Sequence, residues 1–355
     1  MQKINRRKTR IIKVGNVKIG GKNPISVQSM TNTATKDVKA TVRQIKELER
    51  SGCEIVRVGV PDMRSAKAIR KIKKQINIPL VVDIHFDYKL AIESINQGAD
   101  KIRINPGNIG DKEKVKAIVE KAKKKNIPIR IGINSGSLEL DLLKKYREKI
   151  TAEILVESAM RSIRFLEKLK FKDIVVSLKA TDVLTTIRAY KILAGRGNWP
   201  LHLGITEAGR ARTGIVKSSI GIGSLLLEGI GDTIRISLSG SPIEEVKVGW
   251  EILKSLRLRD RGLTIISCPT CARTKIPVED IVKYIEGFSD KFEEKPLKIA
   301  IMGCIVNGLG EAREVDLAIV GMENKKAAIF KKGKFIQNIK PTEVKSFLKK
   351  VLWKK

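Results

Sequence analysis

Leu80-Val81-Val82-Asp83-Ile84-His85 and, one helix-length further on, Lys101-Ile102-Arg103-Ile104-Asn105 decide the fold. A parallel strand buried on both faces should read as nearly continuous Val, Ile and Leu. These two do not: Asp83 and His85 share one parity, as do Arg103 and Asn105, so each set points to one side of its sheet. The same pattern recurs outward along the chain. Eight strands are expected, Pro24–Gln28, Ile55–Val60, Leu80–His85, Lys101–Asn105, Pro128–Ile133, Ile174–Leu178, Leu201–Ile205 and Thr233–Leu238. Helical stretches lie between and after them, among them Thr41–Ser51, Arg64–Lys74, Glu113–Lys125, Glu153–Leu169, Leu184–Leu193, Ile215–Glu228 and Pro242–Ser255. Repeated β/α units joined by right-handed crossovers predict an α/β chain folded as a (β/α)8 TIM barrel over residues 1–262. A small α+β domain is expected over residues 263–355, where the pattern changes.

Polar residues at or just beyond the other strands extend the argument: Arg57; Arg130 and Asn134; Ser177 and Lys179; His202 and Thr206; Arg235 and Ser237. Arg57, Arg103, Arg130, Lys179 and Arg235 come from five different strands and would repel one another in a shared mouth unless an anion neutralises them. Strand-end acids are few, Asp83 and Glu207. The expected ligand is therefore a phosphate or diphosphate at the C-terminal face, where barrel enzymes place their sites. Glu207, after the seventh strand, is the candidate proton donor, with burial expected to raise its pKa and nearby cations to lower it; His85 is the alternative.

The bulk composition is that of a folded protein, 42% hydrophobic and 31% charged, and no apolar run suits a membrane span or a secretory signal. A cytoplasmic location is expected. The net charge of +33 attracts polyanions or acidic proteins. Its lysines, however, spread along helix faces, as at Lys67, Lys71, Lys73 and Lys74, and aromatics are only 4%. That is too few for base-stacking platforms, so nucleic acid is not expected as a partner. Gly221-x-Gly223 lacks the context of a dinucleotide fingerprint.

Four cysteines remain. Cys53 stands alone beside a strand and reads as a packed core residue. Cys268-Pro269-Thr270-Cys271 holds two thiols on one tight loop, and Cys304 in Gly303-Cys304-Ile305-Val306-Asn307-Gly308 brings a third. Spacing alone leaves open zinc, a redox pair with a spare cysteine, and an iron–sulfur cluster with one ligand that is not a cysteine. Zinc would want a fourth Cys or a His, but both histidines, His85 and His202, fall in the barrel.

The strings Cys268-Pro269-Thr270-Cys271-Ala272-Arg273-Thr274 and Met302-Gly303-Cys304-Ile305-Val306-Asn307-Gly308-Leu309-Gly310-Glu311 resemble the cluster-binding motifs of the 4-hydroxy-3-methylbut-2-enyl diphosphate synthase family. The likeness runs through Val27-Gln28-Ser29-Met30-Thr31, Asp83-Ile84-His85-Phe86, Arg103-Ile104-Asn105-Pro106-Gly107 and Gly204-Ile205-Thr206-Glu207. It covers nearly the whole chain and matches the compact two-domain bacterial form. The resemblance implies a [4Fe–4S] cluster held by Cys268, Cys271, Cys304 and Glu311, with Glu311 exchangeable for a substrate oxygen. It also implies a substrate, 2-C-methyl-D-erythritol 2,4-cyclodiphosphate, held by Arg57, Asp83, His85, Arg103, Arg130, Asn134, Lys179, Thr206, Arg235 and Ser237. The implied chemistry is two-electron reductive dehydroxylation with flavodoxin or ferredoxin as donor. The implied assembly is a head-to-tail homodimer in which one subunit's cluster domain caps the other's barrel. The competing expectation is a dihydropteroate-synthase-like barrel, a non-redox transferase with a structural metal site.

Overall fold

The computed structural model describes residues 4–105, 109–288, 292 and 296–353. It divides into two compact units between Arg259 and Asp260. In the first, a hairpin of β1 (Ile12–Val14) and β2 (Val17–Ile19) precedes eight parallel strands. These are β3 (Ser26–Met30), β4 (Ile55–Gly59), β5 (Leu80–Ile84), β6 (Lys101–Ile104), β7 (Ile129–Asn134), β8 (Ile174–Lys179), β9 (His202–Leu203) and β10 (Thr233–Ile234). They run in the order β8-β7-β6-β5-β4-β3-β10-β9, and a parallel bridge from Val176 to Leu201 joins the two ends into a ring. The TIM barrel expected from the polar parity is the fold observed. Strands β9 and β10 are shorter than the sequence suggests, pairing over only two residues each.

Helices follow the strands at sharply set points, because Asp or Ser/Thr caps the first turn. Asp37 accepts from the Ala40 N–H, Asp62 from Ser65, Asp87 from Lys89, Asp182 from Thr185 and Thr151 from Ile154. Each such cap is worth about 1 kcal/mol and fixes where the βα loop ends. The outward strand residues, for example Val56, Val58, Ile102, Ile104, Ile129 and Ile131, pack against the helices in one continuous core.

The hairpin was not expected, although Ile12-Lys13-Val14 and Val17-Lys18-Ile19 alternate around the two-residue turn Gly15-Asn16, with Gly15 at φ +56°. It has a clear role. Ile12, Val14 and Ile19 are buried against Ile55, Val81 and Val175, the lowest inward residues of β4, β5 and β8, so the hairpin plugs the N-terminal end of the barrel. Burying each of these side chains is worth about 1.5–3 kcal/mol, and the plug leaves the C-terminal end as the way in. Helices Tyr88–Asn96 and Leu140–Lys145 also lie outside the stretches named from sequence.

The second unit is a five-stranded mixed sheet in the order β11 (Leu263–Ser267), β12 (Leu297–Met302), β13 (Leu317–Met322), β14 (Lys326–Lys331), β15 (Lys334–Ile339). The first three strands are parallel and the last two antiparallel. Ile299, Ile301 and Ile319 bury one face under Ile281 and Ile285 of helix Val278–Glu286 and Leu348 of helix Val344–Trp353. Ala300, Met302, Ala318 and Val320 form the core of the other face, with Ala312 and the half-buried Cys268. Residues Ile305–Glu311 form a short helix. Its Gly308 lies so close to Val320 that a Cβ there would fall 2.3 Å from Val320 Cγ1, so the glycine serves close packing.

Candidate active site

The polar residues that share one parity within each strand do line the barrel interior. Asp83 is buried among cations: its Oδ1 accepts from Arg103 Nη1 at 2.9 Å and lies 3.5 Å from His85 Nε2, and its Oδ2 is 3.6 Å from Arg57 Nη1. Burial would raise the Asp83 pKa, but Arg57, Arg103 and Arg130 more than reverse this and hold the carboxyl well below the usual range. Arg103 also donates from Nη2 to the Gly132 carbonyl at 3.0 Å, and its Nη1 lies 2.7 Å from His85 Nε2. Guanidinium cannot accept, so Nε2 is the acceptor and the neutral imidazole carries its proton on Nδ1. Consistent with that tautomer, burial first, then Arg103 and Arg57, lower the His85 pKa against the pull of Asp83. The Asn134 amide completes this cluster, its oxygen accepting from Arg103 Nη2 and its nitrogen donating to the Ile133 carbonyl, each at 3.2 Å.

Across the mouth, Arg235 donates from Nη1 to Ser237 Oγ at 2.6 Å and from Nη2 to Glu245 Oε1 at 3.0 Å. Glu245 was not anticipated. It stands on helix Pro242–Ser255, is 3% exposed, and also accepts from Ser29 Oγ at 2.8 Å and the Leu238 N–H at 3.0 Å. Its position in the first turn, just after the Ser241 cap and ten residues beyond Arg235, is the only sequence signal it left. The expectation that Asp83 and Glu207 are the acids of the mouth is thus corrected: Arg57 and Arg103 share Asp83, Arg235 has Glu245, and Glu207 meets none of them.

Arg130 and Lys179 are different. Both are buried, among the described residues neither forms an ion pair, and Arg130 Nε has no hydrogen-bond partner there. Two glycines make room for cations of this cluster, Arg103 and Lys179. A Cβ on Gly132 would fall 2.3 Å from Arg103 Nε, and one on Gly204 would fall 2.4 Å from Lys179 Nζ. Sequence reading passed over both because a glycine in a strand announces a close approach without saying of what.

Glu207 is exposed, in a left-handed conformation at φ +50° on the loop after β9. Its expected burial is therefore not observed, and Thr206 beside it is half-buried. Asn105 donates to the Ser137 hydroxyl and carbonyl at 3.0 and 2.9 Å. Pro106 and Gly107 lie outside the described residues.

In the second unit Cys268, Cys271 and Cys304 are all free thiols, Cys271 exposed and the other two half-buried. Their loops are stitched by backbone bonds, Cys268 N–H to Ile301 O at 3.2 Å and Lys275 N–H to Gly303 O at 2.7 Å. The Gly303 N–H donates to Cys268 Sγ at 3.1 Å, the kind of bond that stabilises a ligating thiolate. Cys304 caps the helix that ends at Glu311. Among the described residues no three Cys, His, Asp or Glu side chains converge tightly enough for a single metal ion. Three thiols on adjoining segments are donors of the kind that hold an iron–sulfur cluster, and Glu311 stands at the opposite end of the short helix from Cys304.

The described residues include no helix long and apolar enough to cross a membrane. Comparison with solved structures supports the fold alone. An N-acetylneuraminic acid synthetase from Leptospira borgpetersenii aligns over 71% of the chain and 92% of its own at 12% identity, TM-score 0.50. Yersinia pestis dihydropteroate synthase aligns over 70% of the chain and 98% of its own at 13% identity, TM-score 0.48, a level that carries no argument about chemistry. Sequence relatives are far closer. A protein of Caldanaerobacter subterraneus subsp. tengcongensis named 4-hydroxy-3-methylbut-2-en-1-yl diphosphate synthase (flavodoxin) is 58% identical over 335 residues, 94% of each chain. A Clostridium perfringens protein of the same name is 54% identical over 349 residues, 98% of this chain and 99% of its own. The GcpE TIM-barrel domain matches residues 9–250 and the GcpE protein C-terminal domain residues 264–354. The chain therefore belongs to the GcpE family, the 4-hydroxy-3-methylbut-2-en-1-yl diphosphate synthases (flavodoxin).

Proposed function

We propose that this enzyme converts 2-C-methyl-D-erythritol 2,4-cyclodiphosphate to 4-hydroxy-3-methylbut-2-enyl diphosphate, with flavodoxin or ferredoxin as reductant. One observation carries the reading: five basic side chains converge in the barrel mouth, and among the described residues two of them, Arg130 and Lys179, form no ion pair, whereas Arg57 and Arg103 share Asp83 and Arg235 has Glu245. A cyclic diphosphate supplies the missing charge. Charge-assisted contacts of roughly 1.5–3 kcal/mol each, from Arg130, Lys179 and Arg57, sum to about 4.5–9 kcal/mol, which spans millimolar to micromolar binding. Asp83 and Glu245 keep Arg103 and Arg235 from turning away before substrate arrives, while Asn134, Thr206 and Ser237 add hydrogen bonds to its hydroxyl and ester oxygens.

In the balanced reaction two electrons and two protons enter, the ring C–O bond opens, and one hydroxyl leaves as water. A [4Fe–4S] cluster on Cys268, Cys271, Cys304 and Glu311 would supply the electrons and a Lewis-acidic iron. Proton delivery falls to Glu207. Among the described residues it forms no ion pair, and it lies on the exposed loop after β9, whereas Arg103 occupies the His85 Nε2 and leaves that ring neutral. His85 then orients substrate through its Nδ1–H. The basic chain suits an acidic electron donor, and the assembly is a head-to-tail homodimer that pairs each cluster domain with its partner's barrel.

The test is anaerobic purification, followed by assay with the cyclic diphosphate and a reduced flavodoxin. A brown protein that forms the linear diphosphate, and loses colour and turnover together in Cys304→Ser, is expected. A colourless zinc protein without turnover would refute the reading.

A further inference from the structure

The barrel wall carries basic groups that the reaction above does not use. Lys101 on β6 and His202 on β9 face inward, since their neighbours Ile102, Leu201 and Leu203 go outward into the helix-packed core, and Val81, paired with Lys101, packs on the hairpin plug. Lys101 is 0% and His202 1% exposed. Among the described residues Lys101 Nζ, both ring nitrogens of His202 and Arg130 Nε have no hydrogen-bond partner. A buried polar atom without a partner costs about 1–3 kcal/mol, and here several share one enclosed layer beneath the mouth.

The charged and titratable groups around this layer are Arg57 from β4, Asp83 from β5, Arg103 from β6, Arg130 from β7, Lys179 from β8 and Arg235 just beyond β10. Tyr190 lies behind His202 and donates its hydroxyl to the His202 carbonyl at 2.5 Å. Both acids are engaged, Asp83 with Arg57 and Arg103 and Glu245 with Arg235. Burial first, and then the surrounding arginines, hold Lys101, Lys179 and His202 well below their ordinary pKa values. In the empty barrel these groups are therefore biased towards their neutral forms, which relieves the crowding of cations. An anion placed beside them reverses the bias, because opposite charge within about 4–6 Å favours the protonated form.

We propose that Lys101 and His202, with Lys179 above them, form a proton-accepting inner layer, so that an anionic diphosphate entering the mouth draws at least one proton from solvent into the barrel wall. The inference rests on the anionic substrate class proposed above. Each phosphorus of a cyclic diphosphate diester carries one strongly acidic hydroxyl, so the ligand stays a dianion near neutral pH and neither gives nor takes the proton itself. The sign is fixed by linkage: groups whose pKa rises on binding take up protons. Affinity then falls by about tenfold per pH unit for each proton taken up, between the pKa of the empty site and the raised pKa of the occupied one.

The test is calorimetric titration of the cluster-loaded, unreduced enzyme with the cyclic diphosphate and, separately, with sulfate, which also does not titrate near neutrality. Two buffers of different protonation enthalpy are used, between about pH 6 and pH 9. Net uptake of about one proton is expected with either ligand, reduced in Lys101→Met and His202→Asn and lowest in the double variant. Thermal unfolding of each variant checks its fold. If the variants do not fold, the native enzyme decides: no uptake at any pH overturns the inference. Undiminished uptake in a folded double variant also overturns it. Cyclic diphosphate binding without uptake refutes this inference and leaves the proposed reaction standing. Sulfate binding with uptake, but no binding of the cyclic diphosphate, upholds the proton-accepting layer and refutes the proposed substrate.

Discussion

Replacing Asp83 with Asn tests whether the mouth is a balanced charge cluster awaiting an anion. Asp83 is the only carboxylate that the described barrel strands direct into the mouth, and it neutralises Arg57 and Arg103 at 3.6 and 2.9 Å. Losing one partner of a buried pair typically costs about 3–5 kcal/mol. Asn keeps an acceptor for Arg103, so the expected loss is nearer 2–3 kcal/mol, toward the strength of one charge-assisted bond. At about 2–4 °C per kcal/mol for a unit of this size, the barrel should melt about 4–12 °C lower. The same substitution adds one net positive charge to the mouth. Sulfate should therefore bind the variant about tenfold more tightly and return about 1.4 kcal/mol of the loss. Melting followed by circular dichroism near neutral pH, with and without sulfate, reads both effects. The carboxyl is held below its usual pKa, so its stabilisation is present above about pH 4 and fades as pH falls below that, where the two proteins should converge. A variant that melts with the native protein, or whose deficit sulfate leaves unchanged, would refute the charge-balance reasoning.

Gly132→Ala should weaken substrate binding at least tenfold, because the new Cβ would fall 2.3 Å from Arg103 Nε and drive that side chain off Asp83 and His85; an unchanged KM would contradict this. Cys53 is fully buried and its thiol pKa is pushed up to about 12 by burial, so iodoacetamide should label Cys268, Cys271 and Cys304 in cluster-free native protein and reach Cys53 only after unfolding, as read by mass spectrometry. Mixing inactive Cys304→Ser subunits with inactive Glu207→Ala subunits should restore part of the activity if the homodimer shares its sites, and no restoration would count against that assembly.

The parity of polar residues made the inward face of the barrel legible, because a strand's alternation is local and the ring only has to close for those residues to meet. Arg57, Asp83, Arg103, Arg130, Lys179 and Arg235 do meet. What the pattern does not encode is the partner that arrives from another element. Glu245 reaches Arg235, Ser29 and the Leu238 amide from a helix whose face is fixed only once it has packed on the barrel. Glu207 has the opposite history, since a carboxylate next to a strand end reads as buried until the chain turns outward at φ +50°. The hairpin was within reach of sequence, as Gly15-Asn16 between two alternating triplets shows, but its three-residue strands are buried by packing on Ile55, Val81 and Val175, which belong to three other strands. That dependence explains the polarity of the molecule. With apolar residues sealing the N-terminal end, the next inward layer is forced to hold Lys101, Arg130 and His202 away from water, and the charge they lack can enter only from the side where Arg103, Lys179 and Arg235 already face the open end.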